Sequence, residues 1–116
     1  MLIDTRALGF KLTDAILGHA EGRVGAALGF VSRHVVRVTV RLDDVNGDRG
    51  GPDKRCRVVV TLRHHRTVTA EDVGVDLYAA VDAAAHKARH AVLREVKRHV
   101  ARERRDAQRP GTLVPA

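Results

Sequence analysis

Val36-Arg-Val-Thr-Val-Arg-Leu42 alternates apolar and polar residues at every position, which is the period of a strand with one buried face. Residues 54–63 repeat the pattern. Their apolar face carries Cys56, Val58, Val60 and Leu62. Between the two segments, residues 43–53 are rich in Asp and Gly, a composition typical of a hairpin loop. The two strands predict a sheet that buries valines on one face and exposes arginines on the other.

The flanking segments predict the rest of the fold. Residues 2–7 predict a short first strand, and residues 66–70 predict a further strand after a tight turn. Thr13 is suited to cap a helix that ends near Phe30, and Asp76 is suited to cap a second, longer helix. The order is β-α-β-β-β-α, so we predict an α+β fold with a four-stranded sheet and two helices packed on one face.

The second predicted helix carries two separate stripes. One stripe is apolar and consists of Leu77, Val81, Ala84, Ala88, Val92 and Val96. At about 100° per residue, the other stripe falls on a different face. It consists of Lys87, His90, Arg94 and Arg98. The helix is therefore predicted to pack inward and to hold phosphate outward.

The length and composition of the chain indicate one domain. With 116 residues and 44% apolar composition the chain can form a single core. Residues 106–116 show no periodic pattern, so we predict a domain over 1–105 and a disordered tail over 106–116. No apolar run approaches the roughly 20 residues that span a bilayer, and the N-terminus lacks the pattern of a signal peptide. We expect a cytoplasmic protein with no membrane partner.

The charge of the chain points to a polyanionic partner. Lys and Arg number 21 against 14 Asp and Glu, for a net charge of +7. Residues 85–105 alone hold eight basic and two acidic side chains. The aromatic residues are Phe10, Phe30 and Tyr78, too few for a platform that stacks single-stranded bases. The sequence therefore predicts binding to the phosphates and the shape of folded RNA.

Catalytic and cofactor chemistry find little support in the sequence. The chain has no nucleophile elbow and no glycine-rich phosphate loop. Cys56 has apolar neighbours and is predicted to be a buried thiol. His86 and His90 are spaced to grip one ion from one helix face, but no third ligand is visible. We predict no enzyme activity, no cofactor, no metal site and no small-molecule substrate. The histidines are interpreted as added positive charge below about pH 6.5.

The most specific stretch of the chain is Ala70-Glu-Asp-Val-Gly-Val-Asp-Leu-Tyr-Ala-Ala-Val-Asp82, followed by Lys87. It resembles the start of the last helix in the hibernation-promoting factor family, also described as ribosome-associated inhibitor or sigma-54 modulation proteins. Leu12-Thr-Asp-Ala15 and Arg57-Val-Val-Val-Thr-Leu62 resemble the family's first helix and central strand. The resemblance covers about residues 2–105.

The resemblance implies the same element order and a fold similar to double-stranded-RNA-binding domains. It also implies binding to the small ribosomal subunit and its ribosomal RNA, in the channel where messenger and transfer RNA lie, during stress or stationary phase. Translation would be blocked by occupancy. Long family members continue into a second domain that pairs ribosomes, so this chain resembles the short class. We expect it to be monomeric away from the ribosome.

Basic residues carry the predicted binding site. The family's basic positions are matched here by Arg23, Arg33, Arg57 and Lys87. The chain departs from the family at Ala26, where a second lysine is often found, and at His86, which replaces an acidic residue. Adding the strand arginines and the helix stripe gives the full predicted set of RNA-binding residues. This set is Arg23, Arg33, Arg37, Arg41, Arg55, Arg57, Lys87, His90, Arg94, Lys97 and Arg98.

Two other functions stay open at the level of sequence. One is a general RNA- or DNA-binding module without a ribosomal site. The other is a regulator that binds another protein through the basic helix. Ribosome occupancy is the hypothesis that also accounts for the motif at 70–87.

Overall fold

The computed structural model describes residues 1–45 and 53–108, except for the side chains of His65 and Gln108. The elements are β1 (Leu2–Leu8), α1 (Asp14–Leu28), a 3-10 helix (Gly29–His34), β2 (Val35–Asp44), β3 (Lys54–Leu62), a 3-10 turn (Arg63–His65), β4 (Thr67–Gly74) and α2 (Leu77–Gln108). The strands lie in the order β1-β2-β3-β4. β1 pairs parallel with β2, and the other two pairs are antiparallel. The predicted α+β fold and element order are confirmed.

Two predicted boundaries meet the limits of the described residues. Residues 46–52, most of the predicted hairpin loop, lie outside them, as do residues 109–116 of the predicted tail. Residues 106–108 are helical, so α2 continues past the boundary predicted after Arg105. The arginines of the preceding turn favour this extension, because arginine has a high helix propensity.

The hydrophobic core lies between the helices and one face of the sheet. The sheet contributes Val38, Val40, Leu42, Cys56, Val58, Val60 and Leu62, all buried. α1 contributes Ala20, Val24 and Leu28, and α2 contributes Ala80, Val81, Ala84, Ala85, Ala88 and Val92. The many alanines leave little bulk on the inner face of α2, so this helix packs closely on β3, β4 and α1. Neither described α-helix has an apolar stretch long enough to cross a membrane.

Side-chain caps begin both helices as predicted. The hydroxyl oxygen of Thr13 accepts a hydrogen bond from the backbone N–H of Ile16 at 3.2 Å. A carboxylate oxygen of Asp76 accepts one from the N–H of Tyr78 at 3.1 Å. Each cap satisfies a donor that the first helical turn leaves unpaired.

The start of β2 differs from the prediction. Val36 was expected on the buried face, yet it is 51% exposed, while Val35 is only 3% exposed. The register between β2 and β3 shifts between Val35 and Arg37. Such a bulge inserts one extra residue and reverses the alternation on one side of it.

Leu28 provides a test of the packing of α1 on the sheet. This side chain is fully buried, so Leu28→Ala should lower the free energy of unfolding by about 2–5 kcal/mol. Leu8→Ala makes the same chemical change at a side chain that is 73% exposed, and its cost should stay below about 0.5 kcal/mol. Urea unfolding followed by circular dichroism measures both values. If both variants lost the same free energy of unfolding, the result would contradict the burial of Leu28 in the core.

Cys56 provides a second test, because the predicted buried thiol is confirmed. Its side chain is fully buried, and burial raises the pKa of the thiol to about 12. The thiolate is the reactive form, so the native chain should resist labelling by a disulfide reagent at pH 8. In denaturant the thiol regains its ordinary pKa and should react within the mixing time. Rapid labelling of the native chain would show that β3 opens readily.

Candidate nucleic-acid interface

The outward side of α2 holds Lys87, His90, Arg94 and Lys97, which we call the helix face. Lys87, His90 and Arg94 line a shallow groove between α2 and the edge strand β4, where Thr69 lies opposite them. Lys97 follows His90 by seven residues, which places it two turns further along the same side. All four side chains are exposed. One rigid helix therefore holds a row of donors at fixed spacing.

Lys87 is anchored at the start of this row. Its ammonium lies 2.9 Å from a carboxylate oxygen of Asp72 and donates to the backbone carbonyl of Glu71 at 3.3 Å. The side chain is still 55% exposed. A phosphate that approached Lys87 would therefore compete with Asp72 for it.

The other cations of the helix face have no acidic partner of this kind among the described residues. Among residues 1–45 and 53–108, neither Arg94 nor Lys97 forms an ion pair. The ring of His90 packs edge-on against that of His86, with 4.5 Å between ring centroids. No third metal-ligating side chain of the described chain joins this histidine pair. The charges of Arg94 and Lys97 are thus available to an external phosphate.

A second basic surface, the sheet face, consists of Arg37, Arg41, Arg55 and Arg57. These residues alternate with the buried valines of β2 and β3, so they lie on the side of the sheet that the helices leave open. Two of them are paired within the sheet. Arg57 lies 3.0 Å from a carboxylate oxygen of Glu71, and Arg55 contacts both carboxylate oxygens of Asp43. The hydrogen bonds that Arg55 donates to Asp43 raise the pKa of Arg55.

Eight of the eleven predicted RNA-binding residues therefore form two distinct basic surfaces, the helix face and the sheet face. The two surfaces meet at the edge strand β4, where Glu71 contacts Arg57 through its carboxylate and Lys87 through its backbone carbonyl. The alternation within the strands predicts that the helices cover the valine face, but it does not show where the basic side of α2 lies relative to the arginine face.

Arg23 lies on α1, and Arg98 lies on the same side of α2 as Lys87 and Arg94. The Nε of Arg23 is 3.4 Å from a carboxylate oxygen of Asp82, which also contacts His19 at 2.8 Å. Arg98 lies 3.5 Å from a carboxylate oxygen of Glu95. Both side chains are more than half exposed, and both have a local acidic partner.

Arg33 lies in the 3-10 helix between α1 and β2, apart from both basic faces. Its Nε donates to Nε2 of His34 at 3.2 Å, and its backbone carbonyl accepts from Arg63. Burial, followed by the charge of Arg33, lowers the pKa of His34. The His34 ring is therefore mostly neutral at pH 7 and adds no charge there.

Arg89 is a surface cation that the predicted set omitted. Its guanidinium carbon lies 4.5 Å from the centroid of the Phe30 ring. Together with Arg23 and His86 it lines a groove between α1 and α2. In the sequence, the excess of basic residues over 85–105 is the feature that could have indicated Arg89. The contact with Phe30 joins positions 59 residues apart, so only the folded chain reveals it.

Comparison with known proteins agrees with this architecture. The N-terminal domain of Thermus thermophilus Protein Y superposes with a TM-score of 0.66 at 24% identity, covering 81% of this chain and 98% of that one. A ribosomal subunit interface protein from Coxiella burnetii gives a TM-score of 0.68 at 16% identity, covering 83% and 99%. At these identities the likeness concerns the fold.

Sequence comparison gives the family. Residues 3–100 match the family described as Sigma 54 modulation protein / S30EA ribosomal protein, and the chain belongs to that family. The chloroplastic ribosome-binding factor PSRP1 of Spinacia oleracea is 31% identical over 74 residues. That alignment covers 62% of this chain and 24% of the spinach protein. The resemblance found in the motif at 70–87 is thus confirmed at the level of the family.

Proposed function

We propose that this chain binds the small ribosomal subunit through the helix face and blocks translation by occupying the channel for messenger and transfer RNA. The observation that carries the proposal is the row of exposed donors on α2, in which Arg94 and Lys97 have no ion pair within the described chain. Family membership supports a ribosomal partner, as does the similarity to the spinach ribosome-binding factor.

In the proposed mechanism the chain binds ribosomal RNA and catalyses no reaction. Each Lys or Arg that contacts a phosphate releases counterions and adds affinity without reading a base. Shape then supplies the selection, because a helix of fixed length on a sheet fits a groove of matching width in folded RNA. The ribosomal RNA would hold the domain where messenger and transfer RNA otherwise lie, and translation would stop until it dissociates. We place this action in the cytoplasm, during stress or stationary phase, with a monomeric chain and no cofactor.

Sedimentation through a sucrose gradient tests the proposal. The chain should migrate with small subunits and be displaced when those subunits carry messenger and transfer RNA. If the chain is found with both subunits and with free RNA, the result would instead support the general nucleic-acid-binding module. Recovery at the top of the gradient alone would support a protein-binding regulator.

The general module is the second candidate because the sheet face also displays arginines, and Arg37 and Arg41 form no ion pair among the described residues. Two basic faces could contact RNA in several orientations. A translation assay separates the two functions. Specific occupancy should stop synthesis at one chain per ribosome, whereas general binding should require a large excess.

A further inference from the structure

Three side chains meet where the far half of α2 passes the turn between β3 and β4. They are His64 of the 3-10 turn and His99 and Glu103 of the helix, and their ligand atoms all lie within 4.8 Å of one another. Nε2 of His99 is 3.1 Å from a carboxylate oxygen of Glu103, and the rings of His64 and His99 are 4.7 Å apart. The predicted pair His86 and His90 takes no part in this cluster.

We propose that His64, His99 and Glu103 form a binding site for a divalent transition metal of the zinc class. Imidazole nitrogen and carboxylate oxygen are ligands that zinc accepts at roughly 2.0–2.2 Å, with water in the fourth position. Ligand atoms in such a tetrahedron stand roughly 3.3–3.5 Å apart, so shifts of about 1 Å in exposed side chains would complete it. The spacing of His99 and Glu103 places both ligands on one side of the helix.

The surroundings of the cluster are compatible with a cation. Leu62 and Val96 supply apolar walls to a cavity of about 370 Å³ that the three side chains line. Three arginines also line it, but two of them point to other acceptors. Arg66 lies 2.8 Å from Glu95, and Arg63 donates to the backbone carbonyl of Arg33.

The backbone of His64 fits the tight turn between β3 and β4. This residue has φ 70° and ψ 22°, the left-handed conformation. Three-residue hairpin loops commonly contain such a residue, and this loop is closed by the N–H of Leu62, which donates to the carbonyl of Arg66 at 2.7 Å. Here the conformation accompanies a side chain that reaches the last turns of α2, so a bound metal would join the turn to that end of the helix.

Zinc titration of the untagged full chain by calorimetry tests the site. We expect one Zn²⁺ per chain with a dissociation constant below roughly 10 μM, weaker than four-ligand structural sites. His99→Gln, Glu103→Gln and His64→Asn should each weaken binding at least about tenfold, and asparagine is chosen because it tolerates the left-handed backbone. The control is the double variant His86→Gln/His90→Gln, which removes an i, i+4 histidine pair from the same helix. It should bind Zn²⁺ with the affinity of the parent.

Thermal unfolding distinguishes a lost site from a lost fold. Saturating Zn²⁺ should raise Tm by on the order of 10 °C in the parent and in the control, and by little in the three site variants. A dissociation constant above roughly 10 μM in the parent would overturn the proposal, as would losses in the control equal to those in the site variants. Neither measurement involves ribosomes, so the result is independent of the proposed function.

Discussion

Replacing Lys87, Arg94 and Lys97 together with glutamine should lower affinity for small ribosomal subunits on the order of 100-fold, taking roughly 1 kcal/mol for each lost phosphate contact. All three side chains are exposed on the helix face, and glutamine has a helix propensity close to that of Lys and Arg. Stability should therefore change little. Binding of a fluorescently labelled chain to purified subunits measures the affinity, and Tm reports on the fold.

The sheet face offers a control with the same change of charge. Arg37, Arg41 and Arg57 are also three cations, and in each triple one member is ion-paired: Arg57 with Glu71 and Lys87 with Asp72. Replacing the sheet-face triple with glutamine should reduce affinity less than about tenfold through the weaker long-range field. Equal losses from both triples would refute a site centred on α2 and favour general basicity. A larger loss from the sheet triple would move the interface to the open face.

Affinity for the small subunit should also fall several hundredfold between about 50 and 200 mM salt. If the whole interface makes about five phosphate contacts, each contributing a slope of roughly 0.7–0.9, the plot of log affinity against log salt should have a slope near −4. Affinity falls because binding releases counterions, and this release becomes less favourable as the salt concentration rises. Titrations at four or five salt concentrations measure the slope.

The slope of the parent gives the number of phosphate contacts, and the slopes of the variants show which residues make them. The helix-face triple variant should show a slope shallower by roughly 2–3, since three of the contacts are gone. The sheet-face triple should keep the parent slope. An affinity that barely changes with salt in the parent chain would contradict an electrostatic interface, and apolar contacts would then have to hold the complex.

Much of the fold could be read from the sequence because its signals act over a few residues. Alternation over two positions identified β2 and β3, and the caps Thr13 and Asp76 act on donors two or three residues away. The apolar stripe of α2 follows from helical spacing in the same way. Where a local irregularity intervened, the prediction was wrong, as at Val36 beside the bulge.

Tertiary structure decided which charges are available, because that depends on partners far apart in the chain. Lys87 meets Asp72 and Arg66 meets Glu95 only when α2 lies on the sheet, and His64 reaches His99 across 35 positions for the same reason. The sequence determined by itself that the chain is basic, that its strands alternate and that α2 has a polar face. The packing of the helices on one side of the sheet divided those cations between two faces, since a covered sheet has only one face left for solvent.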